Sequence, residues 1–212
     1  MKFFAVCVAV LILSLILIAV FSGAFGNKAI RVACVGDSIT ALTTYPSDLQ
    51  DLLGSDYNVR AFGVVGSTVL DNGYTHYIDQ QEFQAAKVFL PNIVVILLGT
   101  NDARVDTYQS IDNFVAEYKQ LVSELEAIES KPKIFLVKPP PLFENALFLS
   151  NENLLEGVIP RIEQVADALG LTLIDVYTPL DGHPACFVDG VHPNYDGAGI
   201  IAGEVYKAFL TD

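Results

Sequence analysis

Short apolar runs recur along the chain and are separated by longer stretches in which apolar positions return every three or four residues. The runs are IRVACVG (30–36), YNVRAFG (57–63), NIVVILLG (92–99), KIFLVKP (133–139) and LTLIDV (171–176), and each predicts a strand. The segments between them predict helices. YPSDLQDLLG (45–54) offers Ser47 as an N-cap and Gly54 as a stop. TYQSIDNFVAEYKQLVSELEAIES (107–130) places Ile111, Phe114, Val115, Tyr118, Leu121, Val122 and Leu125 on one face of a 3.6-residue period. NLLEGVIPRIEQVADALG (153–170) does the same and ends at Gly170, and NYDGAGIIAGEVYKAFL (194–210) predicts the last helix.

Strands apolar on both faces and alternating with helices call for a parallel sheet covered on both sides. The expected fold is therefore α/β, a three-layer α/β/α sandwich. Right-handed crossovers favour a flavodoxin-like parallel sheet of about five strands in the order 2-1-3-4-5. In such sheets ligands bind beyond the carboxyl ends of the strands, where the strand order reverses. That rule points to the segments after the first three strands.

The run FFAVCVAVLILSLILIAVF at residues 3–21 has no charge and accounts for much of the excess in the chain's 52% hydrophobic content. It reads as a leader, with Ser22, Gly23, Ala24 and Gly26 suiting a cleavage site. About 19 apolar residues are also nearly enough to span a bilayer, so a membrane anchor is the alternative. Either reading takes the remainder out of the cytosol, as a secreted or lumenal protein or as one tethered to a membrane through residues 3–21. The net charge of −13, with no basic stripe, argues against a nucleic-acid partner. Cys34 and Cys186 could pair in an oxidising compartment, although Cys34, mid-run in RVACVG, reads as a free buried thiol. No CxxC or other ligand cluster marks a zinc site.

Four short stretches fall where the sheet rule points. Gly36-Asp37-Ser38-Ile39-Thr40 follows the first strand, GVVGST with Gly63 and Gly66 the second, and Gly99-Thr100-Asn101-Asp102 the third, while FVDGVHPN with Asp189 and His192 precedes the last helix. A serine hydroxyl needs a base within reach, and imidazole titrates near working pH. Asp189, three residues from His192, can orient the ring from one tight turn. The Ser38 N–H, the Gly66 N–H and the Asn101 amide are candidate donors to an oxyanion. Asp37 and Asp102 flank the site and read as supports of loop geometry. His76 and His183 read as exposed or rim residues, and KPPPLF (138–143) as a rigid wall after strand 4 rather than a proline-rich ligand.

In this order the four stretches resemble the sequence blocks of the SGNH hydrolases, also called GDSL esterases and lipases. The resemblance runs from Ile30 to about Leu210 and places the family's serine, glycine, asparagine and histidine on Ser38, Gly66, Asn101 and His192. It is nearest to the small secreted branch similar to sialate O-acetylesterases and acetylxylan esterases. It departs from related sequences at Ala61, where they commonly carry asparagine, and at Ile39, where the family name implies leucine. With the apolar run read as above, residues 1–26 are expected as leader or anchor and 27–212 as one hydrolase domain. The resemblance implies a monomeric serine esterase acting on acetyl esters of carbohydrates, with no metal or organic cofactor. A lipid esterase or lysophospholipase at the bilayer, an O-acyltransferase using the same acyl-enzyme, and a carbohydrate-binding pseudoenzyme are the alternatives.

Overall fold

In the computed structural model, which describes residues 29–71, 74–106 and 108–211, the five apolar runs form one parallel sheet. Its strands are β1 (Ile30–Gly36), β2 (Tyr57–Gly63), β3 (Ile93–Leu97), β4 (Lys133–Lys138) and β5 (Thr172–Asp175). They lie side by side in the order β2-β1-β3-β4-β5, the order expected from the pattern. The leader read at residues 1–26 lies outside the described residues. Among those described, no helix is long and apolar enough to cross a membrane.

Strand side chains alternate between two layers, which makes two cores. Val32, Cys34, Val95, Leu97, Phe135 and Val137 face α1 (Ser38–Leu42), α2 (Tyr45–Leu53) and a long C-terminal helix at Tyr195–Thr211. Ala33, Val35, Val94, Ile96, Ile134 and Leu136 face α3 (Gln81–Val88), α4 (Phe114–Glu126) and α5 (Ile159–Leu169). The C-terminal helix is α6. Between the layers, β1 has a partner on each side, with Gly36 level with Gly63 on β2 and with Leu97 on β3.

Several boundaries differ from the pattern. Ser47 is not the cap of α2: Thr44 holds that position, and the Ser47 hydroxyl donates to the Thr44 carbonyl at 2.7 Å. The stops do fall at Gly54 and Gly170, both with positive φ. The helix read over 107–130 starts as a 3-10 turn, Tyr108–Asn113, before α4. The helix read over 153–170 begins with a short turn and a wide π segment, Leu154–Val158, ahead of α5. Pro160 at the start of α5 cannot donate backward, so the regular ladder is interrupted there. Gly157 in the π segment lies against Tyr108, where a Cβ would come within 1.7 Å of the phenol oxygen.

Cys34 is buried in β1 and burial pushes its thiol up to about 12, while Cys186 is partly exposed; both are free thiols. His183 is exposed, but His76 is half-buried, with Nδ1 3.0 Å from Asp79. Pro139, Pro140 and Pro141 are buried behind the end of β4, so the run is a wall.

Candidate active site

The chain leaves β1 at Gly36 and turns at once into α1. A Cβ on Gly36 would lie 2.0 Å from the Thr40 hydroxyl oxygen and 2.6 Å from the Leu97 carbonyl, so only glycine lets α1 fold this tightly onto the strand ends. Asp37 caps the helix, its Oδ1 accepting from the Ile39 N–H at 2.9 Å. Ser38 is the first residue of α1 and is nearly buried. A five-residue helix is little more than one turn, so the dipole at the serine is small.

His192 arrives on the turn before α6. Asp189 builds that turn with one oxygen and orients the ring with the other. Its Oδ1 accepts from the N–H groups of Val191 at 3.0 Å and His192 at 2.8 Å. Its Oδ2 lies 2.7 Å from His192 Nδ1. Burial raises the Asp189 pKa, but the hydrogen bonds from His192 and Val191 outweigh it and hold the carboxyl below its ordinary value. A carboxylate only accepts, so Nδ1 carries the ring proton and Nε2 is left with its lone pair. Nε2 stands 2.9 Å from Ser38 Oγ. Gly190, with φ of 83°, closes the turn where a Cβ would strike the Glu144 carbonyl. The base of the turn is tied by the Val188 N–H to the His192 carbonyl at 2.8 Å, and Asn194 Oδ1 caps the start of α6.

The loops after β2 and β3 are bound to each other. Asn101 Nδ2 donates to the Ser67 carbonyl at 2.9 Å, and the two oxygens of Asp102 accept from the Val69 and Leu70 N–H groups, each at 2.9 Å. These bonds hold Gly66 and Asn101 on one ledge and leave one Asn101 amide hydrogen to spare. Gly66 has φ of 74°, and a Cβ there would meet nothing within 4 Å. Its glycine is therefore required by backbone conformation, not by crowding, and the space beyond it is open.

Beneath the ledge lie two fully buried acids. Desolvation pushes Asp37 up to about 6, drawn back in part by the Ile39 N–H, by the nearby Thr100 hydroxyl and by His192. Desolvation likewise pushes Asp102 up to about 7, against its two backbone donors and with help from the Asp37 charge. Asp37 Oδ2, Thr100 Oγ1, Ser67 Oγ and the Tyr118 hydroxyl are buried without a well-formed protein hydrogen bond. The sequence assigns the two acids a supporting role but none to Thr100, Ser67 or Tyr118, which it places only within the motif stretches or on a helix face. Ala61 is exposed on the edge strand β2. A hollow of about 550 Å³ between α3 and the end of α4 contains none of the motif residues.

Residues 34–200 match the model of the GDSL-like lipase/acylhydrolase family. The chain is 33% identical over 198 residues to an acetylxylan esterase of Xylanibacter ruminicola, a match covering 81% of this chain and 41% of that protein. Overall, it spans about half the length of the curated relatives it matches, at 41%, 57% and 53%. A carbohydrate acetylesterase family member from Sinorhizobium meliloti superposes with a TM-score of 0.64 at 24% identity, over 84% of this chain and 96% of that one. The inhibitor-bound aryl esterase of M. smegmatis gives a TM-score of 0.70 at 18% identity, over 86% and 99%. Both share the fold.

Proposed function

The chain belongs to the GDSL-like lipase/acylhydrolase family, and from that membership we propose that it is a serine esterase working through an acyl-enzyme on Ser38. The observation that carries the reading is the unbroken relay from Ser38 Oγ to His192 Nε2 at 2.9 Å and from His192 Nδ1 to Asp189 at 2.7 Å.

In the first half-reaction Ser38 Oγ attacks the ester carbonyl carbon while its proton passes to His192 Nε2. The carbonyl oxygen becomes an oxyanion facing the Ser38 and Gly66 N–H groups and the free Asn101 amide hydrogen. Asp189 offsets the positive charge on the imidazolium. The bond to the alcohol oxygen then breaks, and that oxygen takes the proton from Nε2. In the second half-reaction His192 draws a proton from water as its oxygen adds to the acyl carbon, and the bond to Ser38 Oγ then breaks as Oγ takes that proton back from His192 Nε2, releasing the acid.

The substrate we infer is a short acyl ester, acetyl on a sugar. It is supported by the 33% identity of this chain to an acetylxylan esterase. We place the enzyme outside the cytosol, secreted or tethered, on the apolar run at residues 3–21. That run also favours a second reading, a lipid esterase held at a bilayer. The test is hydrolysis of acetylated xylo-oligosaccharides and of p-nitrophenyl esters of increasing chain length by wild type and Ser38→Ala. The proposal expects acetate release, a maximum at acetyl and loss of both activity and fluorophosphonate labelling in the variant. A maximum at eight carbons or more would favour the lipid reading, and full activity in Ser38→Ala would end both.

A further inference from the structure

Beside His192 the protein leaves an open cleft of about 240 Å³, lined by the Leu42–Thr44 end of α1 and by Val188, Pro193 and Tyr195 around the histidine turn. Its two walls continue the reactive elements: α1 begins with Ser38 four residues before Leu42, and Pro193 in the opposite wall directly follows His192. Three residues on its rim are large, apolar and turned to solvent, with Leu42 64%, Val188 75% and Tyr195 80% exposed. None of them belongs to the buried core, and together they form an apolar patch at the far end of the short helix that Ser38 begins and on the turn that carries His192.

Resting on the esterase reading above, we propose that this cleft holds the alcohol portion of the ester, a single sugar ring lying against Tyr195 between Leu42 and Val188. The direction follows from the chemistry. The departing alcohol oxygen must take its proton from His192 Nε2, so the alcohol lies on the histidine side. The oxyanion and the acyl group lie toward Gly66 and Asn101. The volume is below the roughly 300–1,000 Å³ of sites for drug-sized ligands, which fits one ring rather than a long chain.

Apart from the Tyr195 hydroxyl, the polar side chains of the cleft already donate hydrogen bonds within the protein. Thr43 Oγ1 donates to the Ile39 carbonyl at 2.7 Å, Thr44 Oγ1 to Asp48 at 2.8 Å, and Asn194 Nδ2 to the Ala185 carbonyl at 2.8 Å. Recognition there is by the face and shape of the ring, with the tyrosine supplying a rigid apolar plane, and not by a hydroxyl-specific hydrogen-bond set. Tyr195 is thus the specificity-determining residue for the leaving group.

The experiment compares kcat/KM for acetylated xylotriose with kcat/KM for ethyl acetate, which has the same acyl group and no ring. In Tyr195→Ala the ratio is expected to fall about tenfold, through KM, while Tyr195→Phe keeps it within about twofold of wild type. Fluorophosphonate labelling of Ser38 at the wild-type rate shows that the variant's site is intact. An unchanged ratio would overturn the assignment, as would a shift in acetyl-against-butyryl preference in its place. Should wild type hydrolyse neither ester, the esterase reading fails by itself. The cleft is then judged by calorimetric titration of xylotriose, where weaker binding to Tyr195→Ala supports it and equal binding refutes it.

Discussion

Asp189 carries two separable tasks on its two oxygens, and Asp189→Asn divides them. The amide keeps an oxygen that can accept from the Val191 and His192 N–H groups, so the turn survives. Its NH₂ group then faces His192 Nδ1, which must become an acceptor, and the ring proton moves to Nε2, where it blocks uptake from Ser38. The electrostatic loss can be bounded. Two unit charges about 4 Å apart interact by about 4 kcal/mol at an effective dielectric of 20 and about 1 kcal/mol in water. The Asp189 side chain is 46% exposed, so screening holds the value below the upper figure. With the wrong tautomer added, kcat for p-nitrophenyl acetate is expected to drop by about 10²–10³, short of the roughly 10⁴ known for a fully buried acid. Melting temperature should move by less than about 2 °C, since the turn is kept. Asp189→Ala removes the backbone acceptor as well and should melt several degrees lower, at about 0.5–1.5 kcal/mol per lost bond. If Asp189→Asn kept more than half of wild-type kcat at an unchanged melting temperature, Asp189 would be a turn residue and the orienting role would be wrong.

Asn101→Ala should lower kcat by about 10²–10³ with little change in KM, measured on the same ester, because one oxyanion donor is lost. Gly63→Ala would set a Cβ 2.4 Å from the Ala41 nitrogen and 2.7 Å from the Asp37 carbonyl, prising β2 from α1. Calorimetry should show a loss of about 1–3 kcal/mol, and an unchanged melting curve would contradict the close approach. Burial raises the carboxyls of Asp37 to about 6 and of Asp102 to about 7 in the folded protein, above their ordinary value of 3.8. The folded state therefore holds these protons more tightly. Their stabilisation is complete below about pH 4 and is lost as pH rises through 6 to 7. Urea unfolding should show stability falling from pH 5 to 8, with a shallower fall in Asp102→Asn; equal slopes would refute the assignment.

The sheet was legible because burial on both faces leaves a plain mark: IRVACVG and NIVVILLG are apolar almost throughout, and one layer order satisfies the crossovers. Boundaries were less so. Ser47 has the residue type of a cap, yet Pro46 starts the helix one turn earlier and Thr44 takes the position. Short α3 passed unseen because it buries only Phe83 and Ala86, too few positions to set a period. The wide turn before α5 depends on Tyr108 filling the space over Gly157, a contact between distant segments that no local pattern encodes.

The site divides along the same physical line. The meeting of Ser38, His192 and Asp189 could be read because a hydroxyl, an imidazole and a carboxylate in such a relay admit few residue types and the strand ends admit few places. Gly66 could be picked out by its place in the loop after the second strand, but its positive φ, with nothing within 4 Å of a Cβ there, has no signature in the sequence. The linkage of Asn101 and Asp102 to the Ser67–Leu70 backbone could not be read, because main-chain donors carry no signature in the sequence. Leu42, Val188 and Tyr195 are the extreme case. Each alone is an ordinary exposed side chain, and only the closure of α1 against the histidine turn makes them one surface. Catalytic residues are constrained by what they do to the reacting bond, whereas leaving-group recognition is constrained only by shape. The selectivity of this enzyme for its alcohol should therefore change with substitutions at these three positions while the Ser38–His192–Asp189 relay stays the same.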